Sequence, residues 1–280
     1  VTSHLSFSRL LIVAAAMGVA ALAPAHASTF TGITNGNFAS NTATYNNNGT
    51  TIGASVTNSD LTGWNITSCL ANCQSSLANT DSFAALALGN VGTAGLQLNL
   101  PDLNGTVNFW SGPGGTAPSA QAFTEDAGIQ TVALYQTVSN LTVGSSYMLS
   151  FSQATMQASE SGESLAGFTA AWNVYFGTGP ASNAYSAPTA VSSTMVNPYQ
   201  GSTSWVAQTM TFTATAATET LSFFATGSNG QPPFLLLDGI SLTQTSGTAQ
   251  SVPEPASLAM FGVGLAGFMV IRRSRKTAVA

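Results

Sequence analysis

The final stretch, residues 251 to 280, constrains this chain more than any other part. An almost uninterrupted apolar run from Ala256 to Ile271 stands between Ser251-Val252-Pro253-Glu254-Pro255 and Arg272-Arg273-Ser274-Arg275-Lys276. Both prolines oppose helix formation where the run begins, so the motif before it is expected to stay extended. The run falls a little short of the roughly 17 to 25 residues of a full membrane span, and the flanking arginines can snorkel to close the gap. A basic cluster beyond the run belongs on the cytoplasmic side. The body of the chain is therefore expected to be exported, with 256–271 as a single membrane helix. An ordinary membrane anchor that is never cleaved fits the same pattern.

The other end agrees. His4 and Arg9 precede an apolar stretch from Leu10 to Ala23, and Ala25-His26-Ala27 supplies the small-x-small pattern of a signal-peptidase site. Residues 1–27 read as a signal peptide cleaved after Ala27; a retained N-terminal anchor is the alternative. Val1 fits a bacterial alternative start codon read literally, and equally a trimmed chain.

Pro253, Glu254 and Pro255, the apolar span, and Arg272, Arg273 and Arg275 together resemble a PEP-CTERM sorting signal, which marks exported proteins of Gram-negative bacteria that make extracellular polysaccharide. The resemblance covers 251–280. It implies an exosortase-type transpeptidase as partner, alongside signal peptidase, cutting near the motif and releasing or re-anchoring the ectodomain. The implied location is the cell surface or extracellular matrix, after transient anchoring in the inner membrane.

Between the two ends the chemistry is restricted by inventory. All five basic residues (Arg9, Arg272, Arg273, Arg275, Lys276) and both histidines (His4, His26) lie outside residues 28–250. Of the ten acids only Glu254 lies outside, so this part carries nine and a net charge near -9 (nine minus zero). Histidine-dependent serine and cysteine hydrolases, lysine Schiff-base enzymes and histidine-ligated zinc all need a residue that is missing. Nucleic acid is excluded as a partner, because neutralising phosphates depends on Lys and Arg. Binding to an anionic bilayer or acidic polymer is opposed unless divalent cations bridge the two. What survives is carboxylate acid/base work on a glycosidic bond, or carboxylate ligation of a hard cation such as calcium.

Texture gives the class. Thr, Ser, Asn and Gly are abundant, charge is sparse, and Leu, Val, Phe and Ala are too many for a disordered chain. Interrupted β-branched runs with weak helix signals predict an all-β, single-domain sandwich over 28–243, with a flexible Ser/Thr/Gly/Gln linker at 244–250. Strands are expected at 30–38, from Gly63-Trp64-Asn65-Ile66, at 129–138, 147–152, 168–176, 205–215, 220–225 and 234–242. Loops are expected in the Asn-rich stretch to Ser59 and from Ser111 to Pro118. The region from Ser68 to Asn104 is irregular, with apolar stretches at 84–88 and 96–100.

Asn35-Gly36-Asn37-Phe38, Gly63-Trp64, Tyr135-Gln136-Thr137-Val138, Tyr147 to Phe151, Trp205, Thr211-Phe212-Thr213, Leu221-Ser222-Phe223 and Leu237-Asp238-Gly239-Ile240-Ser241 resemble the galactose-binding-like jelly-roll sandwich, a superfamily that includes many carbohydrate-binding modules. Its members often hold a structural calcium through a Glu after the opening Asn-Gly-x-Phe and an Asp in the last strand. Asp238 matches the second, whereas Ala39 stands in place of the first.

Three groups of side chains are candidates for a role. Cys69 and Cys73, spaced C-x3-C in an exported chain without His, read as one disulfide closing a small loop. Glu160 and Glu163, and the adjacent Glu125-Asp126, are the acid pairs a glycosidase would draw on, although acids in Ser/Gly loops are usually solvated surface. Trp110, Tyr185 and Tyr199 are placed in loops where they can stack on a sugar, whereas Trp64, Trp172 and Trp205 fall in or beside strands and read as core. The combined expectation is a non-enzymatic surface or matrix protein with weak binding to extracellular polysaccharide. A carboxylate-dependent glycan-cleaving enzyme and a protein-binding structural adhesin are the rivals.

Overall fold

The computed structural model describes residues 30–42, 51–55, 60–68, 70, 85–88, 96–100, 105–127, 132–159, 167–180, 187–227 and 233–246. The two terminal segments, Cys69, Cys73, Tyr185, Glu160 and Glu163 lie outside these residues. The described part is all-β. Its strands are β1 (Thr51–Ser55), β2 (Asn65–Ile66), β3 (Ala85–Leu88), β4 (Leu96–Leu100), β5 (Gly105–Phe109), β6 (Gln121–Asp126), β7 (Ala133–Ser139), β8 (Ser146–Gln157), β9 (Phe168–Gly177), β10 (Ala190–Val191), β11 (Met195–Asn197), β12 (Val206–Thr213), β13 (Thr218–Gly227) and β14 (Pro233–Ser246).

They form two sheets. One is eight-stranded in the order β12-β8-β14-β6-β3-β1-β4-β5, and the other is six-stranded in the order β10-β9-β13-β7-β2 with β11 on β9. From β6 onward the chain passes back and forth between them, with β10 and β11 added to the edge of β9, which is the wrapping of a jelly-roll-like sandwich. Period-two alternation decides which side chains meet between the sheets. Tyr147, Leu149 and Phe151 of β8, Ala170, Trp172 and Val174 of β9, Leu221, Phe223 and Ala225 of β13, and Leu235 and Leu237 of β14 all join one buried cluster. Phe223 sits at its centre, with ring centroids 5.3 Å from Phe151, 6.2 Å from Trp172 and 6.3 Å from Trp64.

The other face of the larger sheet is also covered. At its edge, β5 turns back onto the end of β8: Phe109 bridges Ala158, Ser159 N donates to Asn108 O (2.7 Å) and Trp110 N donates to Gln157 O (3.2 Å). A second buried cluster lies there, with Phe109, Ala122, Ala154, Met156, Ala158, Phe234 and Leu236. With both faces of β14 covered, Phe234-Leu235-Leu236-Leu237 is an unbroken apolar run rather than an alternating one.

Four expectations are corrected. Residues 30–38 form turns and not a strand, because Gly32, Asn35 and Phe38 take positive φ (77°, 52° and 54°) and Phe38 N closes on Asn35 O at 3.1 Å. Burial of Phe38 against Trp64 and Phe123 holds a conformation that a bulky residue rarely adopts. Gly36 is required here: a Cβ would stand 2.0 Å from Ile240 O, and Gly36 O accepts the Ile240 amide at 2.9 Å. The Asn-rich stretch to Ser59 contains β1, which pairs with β3 and β4. β6, central to the larger sheet, runs through Glu125 and Asp126, read from sequence as surface acids. Finally, β14 continues to Ser246, past Leu242 where the last strand was expected to end.

Candidate functional site

The exposed aromatics gather at one end of the sandwich, around the end of β8. Trp110 follows β5, and alternation points it away from the cluster that holds Phe109, leaving it 38% exposed. The loop after it is pinned to the segment before β12: Ser111 and Ser202 share a hydroxyl hydrogen bond of 3.0 Å, Ser202 Oγ also donates to Gly112 O, Gly114 N donates to Thr203 O (3.0 Å), and Trp205 N donates to Gly114 O (3.2 Å). Tyr199 sits in the turn between β11 and that segment and is 51% exposed. Its turn is rigid for a reason sequence reading missed. Buried Asn197 donates from Nδ2 to Pro198 O (2.9 Å) and Gly201 O (3.2 Å), while its Oδ1 accepts Thr155 Oγ1 (2.8 Å).

Gln157 ties the two segments together, since its carbonyl accepts Trp110 N and its amide donates to Gly201 O at 3.1 Å. The loop of Trp110 and the Tyr199 turn thus meet side by side along the same edge of one strand. Among the described residues, this rim offers hydroxyls and amides and no charged side chain. The structure therefore brings together two of the three aromatics selected from sequence. Trp64 and Trp172 are buried core and Trp205 is half-buried against the second cluster, as expected. Tyr135 and Tyr175 lie level across Ser222 on the outer face of the six-stranded sheet, but Tyr175 is packed against Ala133, Phe224 and Leu70.

The described carboxylates do structural work. Glu125 and Asp126 are consecutive in β6, so they point to opposite faces and cannot face each other across a groove. Both are buried, which corrects the surface reading. Burial pushes the Glu125 carboxyl well above the usual carboxylate range, against the opposing pull of the Val132 and Ala225 amides; Val132 N lies 2.5 Å from its Oε1. Glu219, also buried, accepts Thr215 N (2.9 Å) and Thr215 Oγ1 (2.5 Å) and so closes the turn between β12 and β13.

Asp238 is where the fold resemblance places calcium. Its oxygens already accept three hydrogen bonds: Ser119 N on Oδ2 (2.7 Å), and Ser119 Oγ (2.8 Å) and Gly239 N (2.6 Å) on Oδ1. Ser119 Oγ also contacts Asn37 O (3.0 Å) and Gln121 O (2.8 Å). Ala39 brings no oxygen from its side chain, and no group of three or more acids, Cys or His suited to a metal occurs among the described residues. A donor-lined carboxylate with a hydroxyl among the carbonyls does not fit a cation that needs six to eight oxygens.

Comparison with known proteins adds the following. Residues 251–276 match the PEP-CTERM protein-sorting motif, which implies processing by an exosortase and export to a surface or transiently membrane-bound location. No curated protein sequence is similar to this chain. Among solved structures, the sandwich is similar to a CBM4 module (15% identity over 76% of this chain and 99% of that one, TM-score 0.33). It is also similar to the K3 cleaved adhesin domain of Lys-gingipain from Porphyromonas gingivalis W83 (15%, 48% and 79%, 0.31). A third likeness is to the enzymatically active domain of bacteriophage CBA120 tailspike protein 4 (10% identity over 65% of this chain, TM-score 0.33), of which this chain spans 19%.

Proposed function

We propose that this is an exported, exosortase-processed surface or extracellular-matrix protein that works without catalysis and binds a neutral glycan weakly. The observation that carries the reading is the pair of exposed aromatics, Trp110 and Tyr199, whose two segments are fastened side by side to Gln157 by backbone hydrogen bonds. Aromatic faces stack on the apolar faces of pyranose rings, and a preformed rim limits the ordering cost of binding. Ser111, Ser202 and the carbonyls of the turns supply polar partners at the same rim.

The absence of Lys, Arg and His from residues 28–250, with nine acids present, favours an uncharged sugar over a uronate or sulfated one. A role without catalysis is supported by Glu219 and Asp238, which are buried and hydrogen-bonded within the fold, and by Glu125 and Asp126, which are buried and turned to opposite faces of β6. The test is a panel of neutral and acidic polysaccharides presented to the purified protein. Retention on neutral polymers alone supports the reading; cleavage of any of them would replace it with the enzyme alternative.

A further inference from the structure

We infer that Ser119 has taken the place of a cation at the junction of the opening segment, β6 and β14, so that this fold closes with a hydrogen-bonded clasp and without calcium. The contacts come from three separate parts of the chain. Asn37 belongs to the opening turns, Gln121 starts β6, and Asp238 lies in β14 beside Gly239, which takes φ +65°. Ser119 Oγ stands 2.8 to 3.0 Å from an oxygen of each. A calcium ion would need to approach those same oxygens to about 2.3–2.6 Å, and the hydroxyl stands among them.

The carboxylate is also supplied with protons. Ser119 contributes its amide to Oδ2 and its hydroxyl to Oδ1, and Gly239 contributes its amide to Oδ1, so the charge that would hold an ion is met by three donors. Charge at the junction is correspondingly low: Ala39 brings no carboxylate to the opening segment, and no group of three or more acids, Cys or His suited to a metal occurs among the described residues. Calcium affinity rises with the number of charged ligands, and a single donor-saturated carboxylate gives the ion little. The clasp works mechanically, because the Ser119 amide and hydroxyl both bond Asp238 and so tie the loop after Trp110 to the last strand of the sandwich.

The test uses the full chain in detergent, followed by thermal unfolding with 5 mM calcium or with a chelator, in parallel with terbium luminescence. The clasp requires one melting temperature for both conditions and no saturable terbium signal. It also requires Ser119→Ala to lower the melting temperature by about 3 to 10 °C, the range for losing hydrogen bonds to a charged group in a domain of this size. A saturable rise in melting temperature with calcium that disappears in Asp238→Asn would overturn the inference, as would a Ser119→Ala protein that melts like its parent. Should Ser119→Ala fail to fold, the comparison of calcium with chelator on the parent chain still decides.

Discussion

Glu125 shows how a single residue sets a pH response. Its folded carboxyl is held well above the ordinary Glu value near 4.3, chiefly by burial. For an acid shifted upward, stability is complete below the unfolded value and declines as pH rises through the folded one. Asp238 is shifted in the same direction, by burial first, with the Ser119 hydroxyl, the Ser119 amide and the Gly239 amide pulling back. The urea midpoint is therefore expected to fall between pH 4 and pH 8, and Glu125→Gln to remove part of that slope. A midpoint that rises over this range would contradict the burial account. None of this was legible in the sequence: Gln121-Ala122-Phe123-Thr124-Glu125-Asp126 carries two acids beside a glycine-bearing stretch and reads as surface. Their place in a central strand comes from β14, which pairs with both acids, and from β3 beside the residues before them, partners distant in the chain. Trp110 and Tyr199, by contrast, were legible, since both stand in segments broken by Gly and Pro.

At the scale of elements, alternation identified the strands that pack between the two sheets. β7, β8, β9, β12, β13 and β14 all lie where hydrophobic periodicity and turn residues placed them, with shifted ends. The failures share one cause. β1 and β6 are strands whose local composition is polar, and the opening segment is apolar but held in turns by Asn35, Gly36 and Phe38. In each case tertiary contacts override local preference. The joint between the opening segment and the six-stranded sheet rests on buried Gln136, whose Oε1 accepts Thr34 N (2.8 Å) while Nε2 donates to Thr34 O (3.0 Å) and Gly63 O (2.8 Å). Gln136→Ala strands these groups and is expected to cost about 2–4 kcal/mol in chemical denaturation. Phe223→Ala, which empties the space between Trp64, Phe151 and Trp172, is expected to cost about 3–5 kcal/mol. Losses below 1 kcal/mol for either variant would mean that these elements are not joined as described.

The whole molecule has two distinct ends. β14 begins at Pro233, level with Gln157 and the aromatic rim, and finishes at Ser246, level with Ser146. Its length puts roughly 40 Å between the rim and the point where the chain leaves the sandwich. The rim thus stands at the end of the sandwich remote from Ser246, and the matched sorting motif begins at residue 251 of the sequence. If 256–271 spans a membrane, the full chain reconstituted in vesicles is expected to bind the same glycans as the free protein. Loss of binding on vesicles would show that the rim faces the bilayer. The sorting signal was fully legible, because its order of motif, apolar run and basic cluster is local. The rim was legible only as separate residues, because the link through Gln157 joins positions 110, 157 and 201.

The central claim is that Trp110 and Tyr199 form the face that meets sugar. Its most direct measurement is binding of the purified protein and its Trp110→Ala variant to a set of neutral polysaccharides, with circular dichroism confirming the fold of both. The account expects binding by the parent and a loss of at least tenfold in the variant at unchanged fold, in keeping with an aromatic anchor at a binding surface. Equal binding by both proteins, or none by the parent, would contradict it and leave a structural matrix protein as the better description.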